Sequence, residues 1–569
     1  MANQFLATGH PRFSDPYLAQ FSCSDGAIAA WQKLLAAGDR LQAINSVRGD
    51  FAVGVQLPGG GTFLAVDRFA IRSLCYRVKN GQLHFAERAD GLADAATEID
   101  QQAIFDYFYF HCIPSPRTIF KDVYRLPPGH YAWFDGSELT VAPYWTPVFS
   151  ERRDVSFEQL GGEFRRLLRE ALAKQLDGSK PACFLSGGTD SSTVAGMIGQ
   201  VLGKPAATYS IGFEAEGYDE MEFARIAARK FGTEHHEYYV TPNDLVRTIP
   251  MVAAYYDQPF GNSSALPAYY CAKMAKEDGV SKILGGDGGD ELFGGNTRYA
   301  KQKIFGWYGL FPGALRRGVM EPILGDARLG KLPGFGKAAS YIEQARVPMP
   351  DRLEMYNLIM RLGNVSVFTE GFLAGIDSRL PLQHQREVWR STKSPCSELN
   401  RQLAFDWRYT LAESDLPKVV GTTSLAGLKV GFPFLDDALL EFSSSLPTSY
   451  KLQGLKLRWF FKEALKGFLP DEIITKKKQG FGLPFGVWVV RNAALRELAE
   501  ESLRGLARRG VLRSDFVDLL FGRYLGEHPG YYGEMVWISM ILEQWLQGWD
   551  KRRNSHNGDP SHSLIAVWS

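Results

Sequence analysis

Residues 182–192 read Ala-Cys-Phe-Leu-Ser186-Gly187-Gly188-Thr189-Asp190-Ser191-Ser192. An apolar run breaks into a Gly-Gly turn and then into a helix-compatible stretch. No other segment restricts the fold as much. The apolar run suits a buried strand, and the glycines let backbone N–H groups converge on phosphate oxygens. A helix starting there presents its partially positive N-terminus, and Asp190 supplies a carboxylate for Mg²⁺. No Gly-Lys-Ser/Thr follows, so this is not a Walker A loop. An ordinary Ser-Gly-Gly loop without a ligand is the plain alternative.

A second segment, residues 282–295, repeats the design: Lys-Ile-Leu-Gly285-Gly286-Asp287-Gly-Gly-Asp290-Glu291-Leu-Phe-Gly-Gly. Two strand-ending loops, each with an Asp beside close-approach glycines, suit a Mg²⁺-bridged nucleoside triphosphate. In open α/β sheets such loops meet at the carboxyl ends of the strands. On these two loops the chain resembles the asparagine synthetase family, whose synthetase domain carries Ser-Gly-Gly-x-Asp-Ser and a later Gly-Glu/Asp-Gly-x-Asp-Glu. The resemblance continues in Lys418-Val419, in Pro433-Phe434-Leu435-Asp436 and in Lys476-Lys477-Lys478-Gln479-Gly480-Phe481-Gly482, in family order.

Length and composition fit a soluble enzyme of two unequal domains: 569 residues, with 64 basic and 63 acidic side chains for a net charge of +1. That balance gives no electrostatic case for nucleic acid or for a membrane. The six cysteines form no CxxC pair and no zinc spacing, and the first residues lack a signal-peptide pattern, so reduced thiols and a cytoplasmic location are expected. No run approaches the length of a membrane span.

The expected fold class is α/β. The first ~145 residues read as short strands and turns, among them Asp50-Phe-Ala-Val-Gly-Val and Thr62-Phe-Leu-Ala-Val. Asp67-Arg68 followed by Ser73-Leu-Cys-Tyr76, and Pro127 through Trp145, resemble the family's Ntn-type, class II amidotransferase domain. Residues 1–146 are therefore expected to form such a β-rich domain in truncated form. After a polar linker, residues 155–550 should form the synthetase domain, a PP-loop (ATP-pyrophosphatase) parallel sheet with crossover helices ending in a helical region. Residues 551–569 read as a flexible tail.

By the same resemblance, ATP lies with its pyrophosphate in the Ser186–Ser192 loop. Leu185 and Ile211 border the adenine, and Gly285 and Gly286 lie near the ribose and α-phosphate. Asp190 and Asp290 share Mg²⁺, Lys478 is the catalytic lysine facing developing charge, and Asp287 takes the place of a family glutamate that assists activation or amine deprotonation. A solvated basic face is the alternative for Lys476–Lys478. Tyr218-Asp219-Glu220 matches an acidic loop of the family but equally suits a solvated turn. Adjacent His235 and His236 point to opposite faces and suit a structural role better than a metal pair.

Two departures from the family bear on the reaction. Glutamine-hydrolysing members use an N-terminal cysteine as nucleophile, whereas position 2 is Ala2. The Arg-His-Arg-Gly-Pro-Asp and Asn-Gly-Glu segments are also missing, and Ser24-Asp25-Gly26 matches a loop midway through that domain, with Asp25 at the residue holding the glutamine amine. The expectation is a domain without its first half, in a chain that does not hydrolyse glutamine. Secondly, two carboxylates and two arginines of the family are replaced by Val420, Lys429, Gly421 and Gly431. Either a structural ion-pair network has been lost or the pocket takes another substrate than aspartate.

The resemblance thus implies an ATP- and Mg²⁺-dependent ligase that activates a small-molecule or peptide carboxylate as acyl-AMP, for attack by an amine or ammonia. Intramolecular cyclases of the β-lactam synthetase and lasso-peptide type, and asparagine synthetase proper, are alternatives. A thiolation enzyme of the same nucleotide fold would call for a reactive cysteine pair or a basic RNA surface, and a non-catalytic scaffold has no reason to keep Asp190, Asp290 and Lys478 together. A homodimer or a precursor-peptide or other biosynthetic partner is compatible with this reading, and no nucleic-acid or membrane partner is expected.

Overall fold

The computed structural model describes residues 5–36, 38–57, 60–215, 217–324, 335–392, 396–477 and 482–556. The N-terminal part opens with strand β1 (Phe5–Gly9) and three helices, α1 (Pro16–Asp25), α2 (Ala27–Ala36) and α3 (Arg40–Asn45). Strands β2 (Phe51–Gln56) and β3 (Thr62–Val66) follow, then helix α4 (Gln101–Phe110) and strands β4 (His130–Phe134) and β5 (Leu139–Pro143). The five strands form an antiparallel sheet in chain order, with Phe5 opposite Val55 and Thr62 opposite both Gln56 and Phe134. Side chains alternate across a strand. Phe51, Val53 and Val55 therefore enter one core with Trp31 of α2, while Ala52 enters another with Leu64 and Phe85. A Cβ on Gly54 would come 2.4 Å from the Phe85 ring, so that ring lies directly on the sheet.

Three helices within residues 16–45 correct the expectation of strands and turns there. Asp15 accepts from the N–H groups of Tyr17 (2.7 Å) and Leu18 (3.2 Å), with Pro16 at the first helical position. Asp25 is exposed at the end of α1, hydrogen-bonded to Ser24, rather than in a binding loop.

The larger part begins with helix α5 (Phe157–Gln175), capped reciprocally by Ser156 and Gln159. Next come β6 (Ala182–Phe184), α6 (Thr189–Leu202), β7 (Ala207–Phe213), α7 (Met221–Phe231), β8 (Glu234–Val240), α8 (Ala265–Glu277), β9 (Lys282–Leu284), α9 (Thr297–Tyr308) and, much later, β10 (Lys429–Gly431). The sheet is parallel, in the order β8-β7-β6-β9-β10. All seven residues of β7 are buried, as a strand covered by helices on both faces requires. The remainder is mainly helical, with one short hairpin, and closes with α10 (Pro529–His556). That helix passes through the expected tail boundary at 551, held by Arg552–Asp90 (3.1 Å) and Asp550–Arg509 (2.8 Å). Residues 557–569 lie outside the described ones. Among the described residues no helix is long and apolar enough to cross a membrane.

Candidate active site at the switch point of the parallel sheet

The chain leaves β6 toward β7 and β8 on one side and reaches β9 and β10 on the other, so the strand order reverses between β6 and β9. The crevice outside the carboxyl ends of those two strands is where open α/β sheets take ligands. Both glycine-rich loops open there, against a cavity of about 900 Å³. Of the site residues proposed from the sequence, Leu185, Ser186, Gly188, Asp190, Ser191, Ile211, Gly286, Asp287 and Asp290 line it.

The other three predicted loop residues sit behind that wall. Gly187 has φ +67° and lies on α7, where a Cβ would come 2.4 Å from the Ala224 nitrogen. Ser192 is fully buried in α6, and the Gly285 N–H donates to the Gly431 carbonyl at 2.9 Å, extending the sheet pairing. None of the three is among the residues that line the cavity. Lys478 lies outside the described residues.

Two glycines explain how the loops approach each other. A Cβ at Gly289 would fall 2.3 Å from Asp190 Oδ1, and one at Gly286 would lie 3.0 Å from the Ser191 nitrogen. The Ser186 N–H and hydroxyl each meet the Ser191 hydroxyl at 3.1 Å, closing the first loop on itself. α6 starts at Gly188 with no capping side chain, which leaves its first-turn N–H groups to the loop.

A residue that the sequence reading passes over joins the two carboxylates. Arg458 donates from Nη1 to Thr189 Oγ1 (2.8 Å), Asp190 Oδ2 (2.9 Å) and Asp290 Oδ1 (2.7 Å), and from Nη2 to Asp190 Oδ1. Burial opposes its charge, but Asp190 and Asp290 outweigh burial and hold the guanidinium above its ordinary pKa. In sequence Arg458 is one cation among several in Lys456-Leu-Arg-Trp-Phe-Phe-Lys462. Nothing in that spacing marks it, because its position depends on a short hairpin, Leu452–Gln453 against Lys456–Leu457, and on a left-handed turn at Arg458 itself (φ 54°).

A second charged group lines the cavity beside Asp287. Lys418 lies 2.9 Å from Asp415 and 3.8 Å from Asp287. Burial opposes its charge, yet Asp415 and Asp287 hold it protonated. Burial pushes the Asp287 carboxyl up to about 6, partly offset by Lys418. Glu291 is raised well above the carboxylate range by burial and by Asp290 and Asp415. Thr410 and Asp415, also on the wall, come from a π-helical stretch, Trp407–Asp415, an irregularity common at functional sites and absent from hydrophobic periodicity.

Glu220 is no solvated turn residue: it pairs with Lys476 at 3.0 Å, both nearly buried, and the Lys476 ammonium lies 4.3 Å from the Phe223 ring centre. This removes at least Lys476 from a solvated basic face. His235 Nδ1 meets Thr208 Oγ1 at 2.9 Å, while His236 stacks on Tyr209, so the pair does separate to two environments. Val420, Gly421, Lys429 and Gly431 are placed away from the cavity wall. A Cβ at Gly421 would come 2.5 Å from the Tyr256 ring, and one at Gly431 2.5 Å from Gln175 Oε1. An aromatic ring and an amide side chain thus occupy the space beside these two glycines.

Comparison with known proteins settles the family. Residues 163–547 match the family model described as asparagine synthase, and residues 30–145 that of a glutamine amidotransferase domain. The chain belongs to the asparagine synthase family. It is an ATP-dependent ligase of the asparagine synthetase type, with the α/β parallel sheet and helical end expected of it. Asparagine synthetase [glutamine-hydrolyzing] 1 of Bacillus subtilis (strain 168) is 25% identical over 497 residues, covering 84% of this chain and 74% of that protein. A putative asparagine synthetase [glutamine-hydrolyzing] of Mycobacterium bovis is 25% identical over 511 residues, 85% of this chain and 74% of the relative. Amidase chry2 of Gibberella zeae is also 25% identical, over 79% of this chain and 71% of its own length. In this asparagine synthase family member Asp25 precedes the matched amidotransferase segment.

Proposed function

We propose that this chain activates a carboxylate substrate with ATP as an acyl-adenylate, releasing pyrophosphate, and transfers the acyl group to an amine or ammonia that it does not obtain by hydrolysing glutamine. The observation that carries the first half is the convergence of Asp190 and Asp290 on one guanidinium, at the switch point of the parallel sheet, inside a cavity large enough for a nucleotide and a small acyl group. Two carboxylates held around one cation are a donor set suited to Mg²⁺, whose charge would offset that of the phosphates when bound. The Ser186–Ser192 loop would receive the pyrophosphate, Leu185 and Ile211 the adenine, and Gly286 the sugar-phosphate edge. Arg458, released from the aspartates, would face the leaving phosphates as a bidentate donor. Lys478 is assigned the charge-compensating role on resemblance, and Asp287, beside Lys418, that of proton acceptor at the entering amine.

Support for the second half comes from the cysteines and the packing of the N-terminal part. Burial pushes the Cys75 thiol up to about 11, and Cys112 is raised further. A nucleophilic thiol needs the opposite shift. Cys23 is exposed on α1. Between this part and the acidic loop stand Phe69, Trp145, Phe149 and Trp407, with adjacent ring centres 5.4–6.4 Å apart. Such packing supports nitrogen arriving from outside rather than through the amidotransferase-like part.

ATP–pyrophosphate exchange across a panel of carboxylates, with ammonia and glutamine supplied separately, tests both halves. Exchange with at least one carboxylate is expected, reduced about a hundredfold or more in Asp190→Asn, a magnitude typical of losing an electrostatic group from an active site. No glutamate should form from glutamine. Exchange surviving Asp190→Asn overturns the site, and glutamine turnover overturns the source of nitrogen.

A further inference from the structure

From Leu292 to Met320 the chain carries no Asp or Glu, yet Lys301, Lys303, Arg316 and Arg317 fall there, besides Arg298, which is paired with Asp406. The whole-chain balance conceals this local excess. The stretch contains α9 and, together with helix Phe335–Arg346, builds a lobe with a small core of its own: Phe305, Tyr308, Ile342 and Ala345, closed by Met320 and Tyr341. Among the described residues, four of its large apolar side chains lie outside that core. Trp307 is 49% exposed, Leu310 81%, Phe311 43% and Leu315 41%. They cluster where α9 ends and the chain turns through Pro312, whereas Lys301, Lys303 and Arg317 are exposed on either side of the turn. Arg316 lies over the Tyr308 ring at 5.2 Å. Trp307, Leu310, Phe311 and Leu315 do not line the active-site cavity. Contiguous exposed apolar side chains of this size mark a surface that meets something.

We propose that this tip docks on the surface of an anionic lipid bilayer, with Trp307, Leu310, Phe311 and Leu315 in the interfacial layer and Lys301, Lys303 and Arg317 over the headgroups. The shape and the charge favour this partner. A peptide ligand is taken by a groove, and a side chain that is 81% exposed belongs to a projection. A second copy docked through the same tip would bring Lys301, Lys303 and Arg317 against their own counterparts, setting like charges together. An apolar tip with an aromatic ring, ringed by Lys and Arg, matches the amphipathic boundary of a negatively charged membrane. Attachment is peripheral, because no described helix spans. The tip is also placed to matter to the site: Asn296, the cap of α9, lines the cavity. Twelve helical residues span about 18 Å, so a docked tip would hold the cavity about that far from the lipid.

Flotation of the full-length protein with vesicles of phosphatidylcholine alone, and of phosphatidylcholine with one-third phosphatidylglycerol, tests this at low and high salt. The protein should float with the anionic vesicles only, and high salt should release it. L310E/F311E should lower the bound fraction about tenfold or more, by placing carboxylates in the interfacial layer. K303Q/R317Q, which alters no core contact, should lower it about tenfold. Both variants should keep the wild-type thermal midpoint. Absence of binding to anionic vesicles at low salt, equal binding to neutral ones, or wild-type binding by K303Q/R317Q overturns the proposal. So does light scattering that shows a wild-type dimer split by L310E/F311E.

Discussion

Arg458 holds a left-handed backbone at φ 54°, a conformation that costs a residue with a side chain roughly 1–2 kcal/mol. Its N–H bonds the Gly294 carbonyl at 3.2 Å, and its guanidinium lies over the Phe461 ring at 4.2 Å while it joins Asp190 to Asp290. The strain is offset by a cation placed between carboxylates that would otherwise repel one another. Arg458→Ala should therefore destabilise the nucleotide-free protein by about 3 kcal/mol, as removal of one partner of a buried ion pair does. Mg²⁺ should recover more of that loss in the variant than it adds to the wild type, in denaturant titrations with and without the ion. An equal Mg²⁺ effect on both proteins would separate the ion from these aspartates. Asp287 gives a second expectation at this scale. With its carboxyl raised to about 6, the unfolded chain gives up this proton at lower pH than the folded one. The group therefore destabilises the fold increasingly as pH rises from about 4 to about 6, and fully above that. Asp287→Asn should accordingly be more stable than wild type at pH 8, the gap closing toward pH 4 in thermal scans. If the ionised carboxylate accepts the amine proton, amide formation in the wild type should rise through about pH 6, and the variant should lack that limb.

At the level of elements, what the sequence makes legible is what short-range chemistry decides. β6 with its Ser-Gly-Gly-x-Asp loop, and β9 with its acidic loop, can be read because an apolar strand, a glycine turn and a helix start are neighbours in the chain. Helices α1 and α3 were readable too, from the caps Asp15-Pro16 and Asp39, but the alternating strands that follow dominate the pattern. The π-helical stretch at Trp407–Asp415 and the turn at Arg458 could not be read, since both are fixed by tertiary partners: Arg298 and Ser115 for the first, Gly294 and the two aspartates for the second. α10 shows the same limit. Its entry end packs so closely that a Cβ on Gly486 would come 1.9 Å from the Pro529 carbonyl, and one on Gly533 would come 2.5 Å from Gly486 Cα. These two glycines look ordinary in sequence. Gly486→Ala should cost about 1–3 kcal/mol through overpacking, measured as a fall in the denaturation midpoint, while Gly522→Ala, with open space around it, should leave the midpoint unchanged.

The molecule as a whole is held together by contacts that give Asp436 of Pro433-Phe-Leu-Asp436 a structural place. Asp436 accepts from Arg12 and Lys174 at 3.0 Å and caps the helix that follows, while Asp437 accepts from Arg12 (3.1 Å), the Gly49 N–H (2.9 Å) and Arg68 (2.9 Å). The N-terminal part thus grips the synthetase part at its sheet edge, far in sequence from either glycine loop. A second contact works differently: the Trp407 Nε1–H donates to the Glu291 carbonyl at 3.0 Å, linking the aromatic wall to the acidic loop itself. These two connections predict opposite phenotypes. Asp437→Ala leaves the Arg68 guanidinium without that carboxylate in a largely buried place. It should loosen the N-terminal part, seen as faster proteolytic cleavage in residues 147–154, with ATP–pyrophosphate exchange within about twofold of wild type. Trp407→Phe keeps the ring packing and removes one buried hydrogen bond, a change worth about 1–3 kcal/mol when a carbonyl is left unpaired. It should slow exchange while leaving the cleavage rate as it was. Loss of exchange in Asp437→Ala would instead mean that the N-terminal part acts on the site through its grip on the sheet edge.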